Sequence, residues 1–227
     1  MQRIFLLAHL FLLVVVANSQ DLSQVKYTNG SDLTYYSFTT DQKIVIRITS
    51  DGKILEWGNY WDKGYYNYTP GKLQQYMGRV EYYGAEADSI NSGKVKSIGT
   101  SYITYYSSFD AATDKGKVKS IGRTNLNYYS IYENEALVGK LKSAGNTNFT
   151  YYNSYENIAL KGKLKSAGTA QIAYYSSFDD KKIQGKIKSI GSTTYVWYNS
   201  NDRREYQGAL KSGNVEQVVA GINFIIM

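Results

Sequence analysis

A heptad that returns every 23 residues, with no insertion or deletion between copies, is the feature that most limits what this chain can fold into. Gly93-Lys94-Val95-Lys96-Ser97-Ile98-Gly99 is repeated from Gly116, Gly139, Gly162 and Gly185, and a worn copy opens at Gly208. Each heptad is followed by an aromatic pair: Tyr105-Tyr106, Tyr128-Tyr129, Tyr151-Tyr152, Tyr174-Tyr175 and Trp197-Tyr198. A repeat this short is one supersecondary unit. It cannot bury its apolar face alone, so neighbouring copies must stack.

Within the unit, period-two alternation points to strands. Lys-Val-Lys-Ser-Ile reads as a short alternating strand. A longer one is expected from the ninth to the seventeenth position, with the eleventh (Ile103, Leu126, Phe149, Ile172, Tyr195), the thirteenth and the seventeenth (Phe109, Tyr132, Tyr155, Phe178) on its apolar face. The glycine closing each heptad makes a tight turn, and the segment from the eighteenth-position acid (Asp110, Glu133, Glu156, Asp179, Asp202) to the next glycine makes a looser one. Connections this short favour antiparallel neighbours, because a parallel pair needs a long crossover. The predicted fold is all-β: an antiparallel β-meander of 23-residue hairpin repeats in an open, elongated, twisted or curved sheet.

Weaker echoes extend the pattern upstream. Tyr35-Tyr36-Ser37-Phe38 resembles the aromatic segment, Gly52-Lys53-Ile54 and Gly71-Lys72-Leu73 resemble the heptad, and Tyr82-Tyr83 stands 23 residues before Tyr105-Tyr106. The expected organisation is a signal peptide over 1–19, irregular N-terminal β repeats or a cap over 20–92, regular repeats over 93–213 and a C-terminal capping strand over 214–227. The signal peptide is read from Arg3, the apolar run Ile4 to Val16 and the small residues Ala17-Asn18-Ser19. It implies export to the periplasm, the cell surface or the medium. No later apolar run is long enough for a spanning helix.

Removing 1–19 leaves 25 Lys and Arg against 19 Asp and Glu, a net charge of +6, and leaves neither histidine nor cysteine. That excludes thiol nucleophiles, histidine bases, zinc sites built on Cys or His, and disulfides. The once-per-repeat acid argues for a loop charge or a lysine partner rather than a catalytic carboxylate, since an active site is assembled once. No cofactor or metal is expected.

Tyr151-Tyr152, Tyr155-Glu156 and Gly162-Lys163-Leu164-Lys165-Ser166-Ala167-Gly168 carry a resemblance to the bacterial variant of MORN-type repeats. It covers Gly93 to Gly213, and departs from that pattern in lacking a glycine soon after the first aromatic and in its longer acidic loop. The resemblance implies stacked β-hairpins in a curved sheet, with scaffolding, protein contact or membrane-surface association as roles. Aromatic hairpin repeats that bind cell-wall choline or glucans are similar in composition.

Two candidate surfaces emerge. The second aromatics Tyr106, Tyr129, Tyr152, Tyr175 and Tyr198 should form one column, about 9.5 Å per step at two strand spacings. The fourth-position lysines Lys96, Lys119, Lys142, Lys165 and Lys188 lie on the intervening strands, with stems over the rings. Such a ladder suits an envelope polyanion, while secretion sets nucleic acid aside. Trp57 and Trp61, in a cluster with Tyr60, Tyr65, Tyr66 and Tyr68, offer a second surface, a sugar-stacking platform. The expected function is a non-enzymatic, exported binding or scaffold surface in the bacterial cell envelope, meeting a polyanion, glycan or protein. The alternatives are a glycan-binding module using these aromatics and an outer-membrane barrel. The last is disfavoured by hairpins too lysine-rich for a lipid-facing band.

Overall fold

The computed structural model describes residues 21–61, Gly64 and 69–227. The expected signal peptide and the cluster members Tyr65, Tyr66 and Tyr68 lie outside the described residues. The fold is all-β, without a helix among the described residues.

The repeats build the larger sheet. After β1 (Asp21–Thr28), β2 (Asp32–Thr39), β3 (Ile44–Ile48), β4 (Ile54–Tyr60) and β5 (Leu73–Gln75) comes β6 (Val80–Tyr82), where this sheet begins. It continues through β7 (Val95–Ile98), β8 (Ser101–Tyr105), β9 (Val118–Ile121), β10 (Thr124–Tyr128), β11 (Leu141–Ala144) and β12 (Thr147–Tyr151). It ends with β13 (Leu164–Ala167), β14 (Ala170–Tyr174), β15 (Ile187–Ile190) and β16 (Thr193–Thr194). These eleven strands pair strictly in sequence order, an antiparallel meander with free ends at β6 and β16, so no barrel closes. The last unit adds a small ribbon of β17 (Val196–Trp197) and β18 (Leu210–Ser212).

The turn within each hairpin has two residues. Gly99, Gly122, Gly145, Gly168 and Gly191 hold its first position at φ between 52° and 58°. The second position is never left-handed, which is the pattern of the primed hairpin turn that takes glycine first.

Two expectations about the unit are corrected. The heptad strand does not alternate strictly. A β-bulge leaves Lys119 unpaired between Thr104↔Ser120 and Tyr105↔Val118, and the same irregularity recurs in every unit. The extra residue turns both Val118 and Ile121 into the core, three positions apart, where strict alternation would separate them. The longer strand also stops at the first aromatic, so Phe109, Tyr132, Tyr155 and Phe178 are not core residues but almost fully exposed. The chain breaks there because the acid four residues past the second aromatic folds back. Ser107 N–H donates to Asp110 at 2.6 Å, Asn153 N–H to Glu156 at 2.7 Å and Ser176 N–H to Asp179 at 2.6 Å.

Upstream, the Tyr82-Tyr83 segment does continue the repeats, with β6 in their sheet and the Tyr83 hydroxyl donating to the Ile103 carbonyl, but the residues before it are not degraded repeats. Strands β1 to β5 join β19 (Glu216–Val219) and β20 (Ile222–Ile226) in a separate seven-stranded sheet, ordered β19-β20-β1-β2-β3-β4-β5. Ile44-Val45-Ile46-Arg47-Ile48 is buried throughout, the mark of a central strand covered on both faces rather than of a half-exposed hairpin. The expected C-terminal cap is two strands, and β20 lies parallel to β1, from Gln24↔Asn223 to Tyr27↔Ile226. This sheet covers the apolar face of the repeats in one continuous core. Tyr36 packs on Phe149 with ring centroids 4.7 Å apart, and its hydroxyl meets that of Tyr151 at 2.8 Å. The strand-opening N–H groups of Val118, Leu141 and Ile187 donate to the carbonyls of Gly52, Ser50 and Gly30, stitching repeat strands to hairpin loops of the covering sheet. Gly30 and Gly52, both left-handed, sit against Trp197 and Tyr128 so closely that any Cβ would enter the ring.

Candidate functional site

The aromatic pairs form a hydrogen-bonded ladder. The first member points inward beside the covering sheet and donates to the carbonyl that opens its own heptad strand. Tyr105 reaches Val95 at 3.0 Å, Tyr128 reaches Val118 at 2.7 Å, Tyr151 reaches Leu141 and Tyr174 reaches Leu164 at 2.9 Å, and Trp197 Nε1 reaches Ile187 at 2.6 Å. The second member reaches forward to the next unit. Tyr106 donates to Leu126, Tyr129 to Phe149, Tyr152 to Ile172 and Tyr175 to Tyr195, at 2.8–3.1 Å. Its ring meets the next unit's first aromatic edge-on, at 5.9–6.0 Å for Tyr106–Tyr128, Tyr129–Tyr151 and Tyr152–Tyr174. Tyr198, in the last unit, packs on Tyr206 at 5.4 Å.

The lysines do lie over these rings. Second-position Lys94, Lys117, Lys140, Lys163 and Lys186 stand 4.7–5.6 Å from the first aromatic of their own unit. Burial lowers their ammonium pKa values. Fourth-position Lys96, Lys119, Lys142, Lys165 and Lys188 stand 5.0–6.0 Å from the second aromatic of the preceding unit, and Lys211 repeats the contact with Tyr198. Three of these ammoniums also pair with turn acids. Lys142 pairs with Glu133 at 2.8 Å, Lys165 with Glu156 at 2.7 Å and Lys211 with Asp202 at 3.0 Å. At these three rungs the ladder is a local sandwich, ring below and carboxylate beside, rather than an open charge over an open tyrosine column.

The two tryptophans are not one platform. Trp57 packs on the core and lines a cavity with Lys53, Gly93, Lys94 and Tyr105. Trp61 lines a different cavity of about 300 Å³ on the covering sheet, with Gln24, Tyr60, Lys72, Glu216 and Asn223. Near Gln24 lies Arg47, the one buried cation among the described residues, bonded to Glu56 at 2.6 Å with the Tyr35 ring 4.2 Å from its guanidinium.

The surface missed in the sequence is the loop edge. Phe109, Tyr132, Tyr155 and Phe178 are each 89–95% exposed, one per repeat, at equivalent loop positions. Four successive large aromatics left in water are unusual. Their turns are well anchored. Asp110 is held below the usual carboxylate range by the Ser107 N–H and hydroxyl, and Asp179 by the Ser176 hydroxyl and N–H. All but one of the successive loop pairs are tied together as well. Asp88 accepts from Ser108 N–H at 2.7 Å, Asn134 from Ser154 at 3.0 Å, Asn157 from Ser177 at 2.9 Å and Asp180 from Ser200 at 3.2 Å. The signal was present in the sequence: Ser or Asn three residues before Asp or Glu is the spacing of a side chain that caps a turn.

Comparison with protein-family models, with curated proteins and with solved structures finds no match to this chain. Among the described residues no helix is long and apolar enough to cross a membrane.

Proposed function

We propose that this chain is a non-enzymatic β-repeat scaffold, exported to the bacterial envelope and related to MORN-type hairpin repeats, whose binding surface is the loop edge. The observation that carries the reading is the exposed row Phe109, Tyr132, Tyr155 and Phe178, the last three on turns bonded to one another. Elsewhere in the repeat the polar groups have structural work. Tyrosine hydroxyls satisfy carbonyls, Lys142, Lys165 and Lys211 neutralise turn acids, and the turn acids hold loop N–H groups. A once-per-repeat acid engaged in this way serves its loop rather than a reaction.

The test is retention of the folded chain on an envelope fraction at low and high salt. Two variants are compared: alanine at the four loop aromatics, and glutamine at Lys96, Lys119, Lys142, Lys165 and Lys188. The proposal expects retention that survives salt, is lost with the aromatics and persists without the lysines. Retention abolished by salt and by the glutamine variant would move the function to the lysine ladder.

A further inference from the structure

We infer that the loop-edge row is a binding track for a neutral, extended polysaccharide of the β-1,4-linked type. The inference rests on the display reading above and names the occupant of that surface.

Periodicity supplies the first argument. Equivalent residues in adjacent units are two strands apart, roughly 9.5 Å. Three steps from Phe109 to Phe178 make a straight-line track of roughly 28 Å, with some rotation from sheet twist. A β-1,4-linked chain presents the same ring face every second sugar, at a spacing of the same order. It is stiff enough to meet several rungs at once. A sugar ring has an apolar C–H face that stacks on an aromatic face, which a Phe and a Tyr offer equally. The row uses both in equivalent places.

Charge supplies the second argument. The residue after each aromatic is an acid: Asp110, Glu133, Glu156 and Asp179. Glu133 and Glu156 are already paired with Lys142 and Lys165. A polyanion would meet carboxylates without an ion-pair partner among the described residues at the two end rungs, Asp110 and Asp179, and an anionic bilayer would meet them as soon as a ring entered. A neutral chain meets neither cost, and its hydroxyls can share the carboxylate lone pairs left over.

Rigidity supplies the third. The Tyr132, Tyr155 and Phe178 turns are tied in series by the Asn134–Ser154 and Asn157–Ser177 bonds, and the Phe109 turn is held to the loop before it by Asp88–Ser108, so three of the four rungs hold their mutual spacing before binding. Each stack alone is weak, and four on one polymer add through effective concentration.

The experiment uses the full chain, sedimented with cellulose and with chitin at low and high salt. Parallel arms use anionic and zwitterionic phospholipid vesicles, and sedimentation velocity for self-association. The expected result is salt-insensitive retention on at least one of the two polysaccharides. Retention should fall by about 100-fold or more when all four aromatics become alanine, and by only a few-fold for Tyr155→Ala alone. The melting temperature of the fourfold variant should match that of the parent, because the four side chains are almost wholly in solvent. Absence of retention on both polysaccharides, or retention unchanged in the fourfold variant, overturns the glycan assignment. If vesicle binding or self-association is instead lost in that variant, the display surface stands with a different occupant. If no arm separates the variant from its parent, both readings fall.

Discussion

Tyrosine here is a strut. The hydroxyls of Tyr128, Tyr151 and Tyr174 donate to carbonyls at the bulged start of the heptad strands, where the ladder is interrupted. Removing one such hydroxyl leaves a buried carbonyl short of a partner, at a cost of about 1–3 kcal/mol. Tyr151→Phe, which also loses the Tyr36 hydroxyl contact, should therefore destabilise the protein by that amount in a urea melt, whereas Tyr132→Ala should lie within about 0.5 kcal/mol of the parent. Equal effects of the two would contradict the division between inner struts and outer rungs. The same burial raises the phenol pKa of Tyr27, Tyr36, Tyr105, Tyr128, Tyr151 and Tyr174, and pushes Tyr195 up to about 12. A folded-state pKa above the unfolded one contributes stability that is complete below about pH 10 and lost as pH rises through and beyond it. The second-position lysines, with depressed values, act in the opposite sense just below that range, since neutralising them relieves a cost. An alkaline titration should read these buried phenols through their tyrosinate absorbance. The main rise should coincide with loss of the β circular dichroism. A main rise completed while the fold persists would show the ladder to be solvent-accessible.

At the scale of the element, each unit is a hairpin closed at one end by a glycine-first turn and at the other by a capped loop. The turn was legible because glycine must supply the left-handed residue. The loop reads as strand because Tyr-Tyr-x-x-Phe extends the apolar alternation, and only the Ser/Asn-x-x-Asp/Glu spacing contradicts it. One link in the loop chain is missing. Where neighbouring junctions pair Asn134 with Ser154 and Asn157 with Ser177, the equivalent junction holds Ala111 and Ile131. Ala111→Asn alone should restore the bond to a backbone N–H, which Ile131 keeps, and adding Ile131→Ser should supply the side-chain bond that Asn134 Nδ2 makes to Ser154 Oγ, for about 0.5–1 kcal/mol beyond the sum of the single changes. A double-mutant cycle measures this, and strict additivity of the two changes would refute the link.

At the scale of the molecule, two sheets enclose one core, and the covering sheet is completed only when the last strand returns to the first. Phe224 on β20 is fully buried beside Val25, its register partner on β1. Phe224→Ala should cost about 3–5 kcal/mol and lower the thermal midpoint of the whole domain in a single transition. If the repeats melted unchanged while only a minor transition moved, the sheets would be independent units.

The hairpin, its turn glycine, its antiparallel order and the lysine-over-tyrosine stacking follow from local rules, because they join residues within one unit or its neighbour. Hence the meander was readable over Gly93 to Gly213. What covers its apolar face was not. The parallel pairing of Asn223 with Gln24 joins opposite ends of the chain, and the contact of Gly52 with Tyr128 joins two unrelated sheets. Such contacts depend on which faces and edges remain open once the repeats have stacked, a property of the assembled shape that no short-range pattern encodes. The exposed row has the same origin: whether a periodic aromatic becomes core or surface is settled by where the covering layer ends.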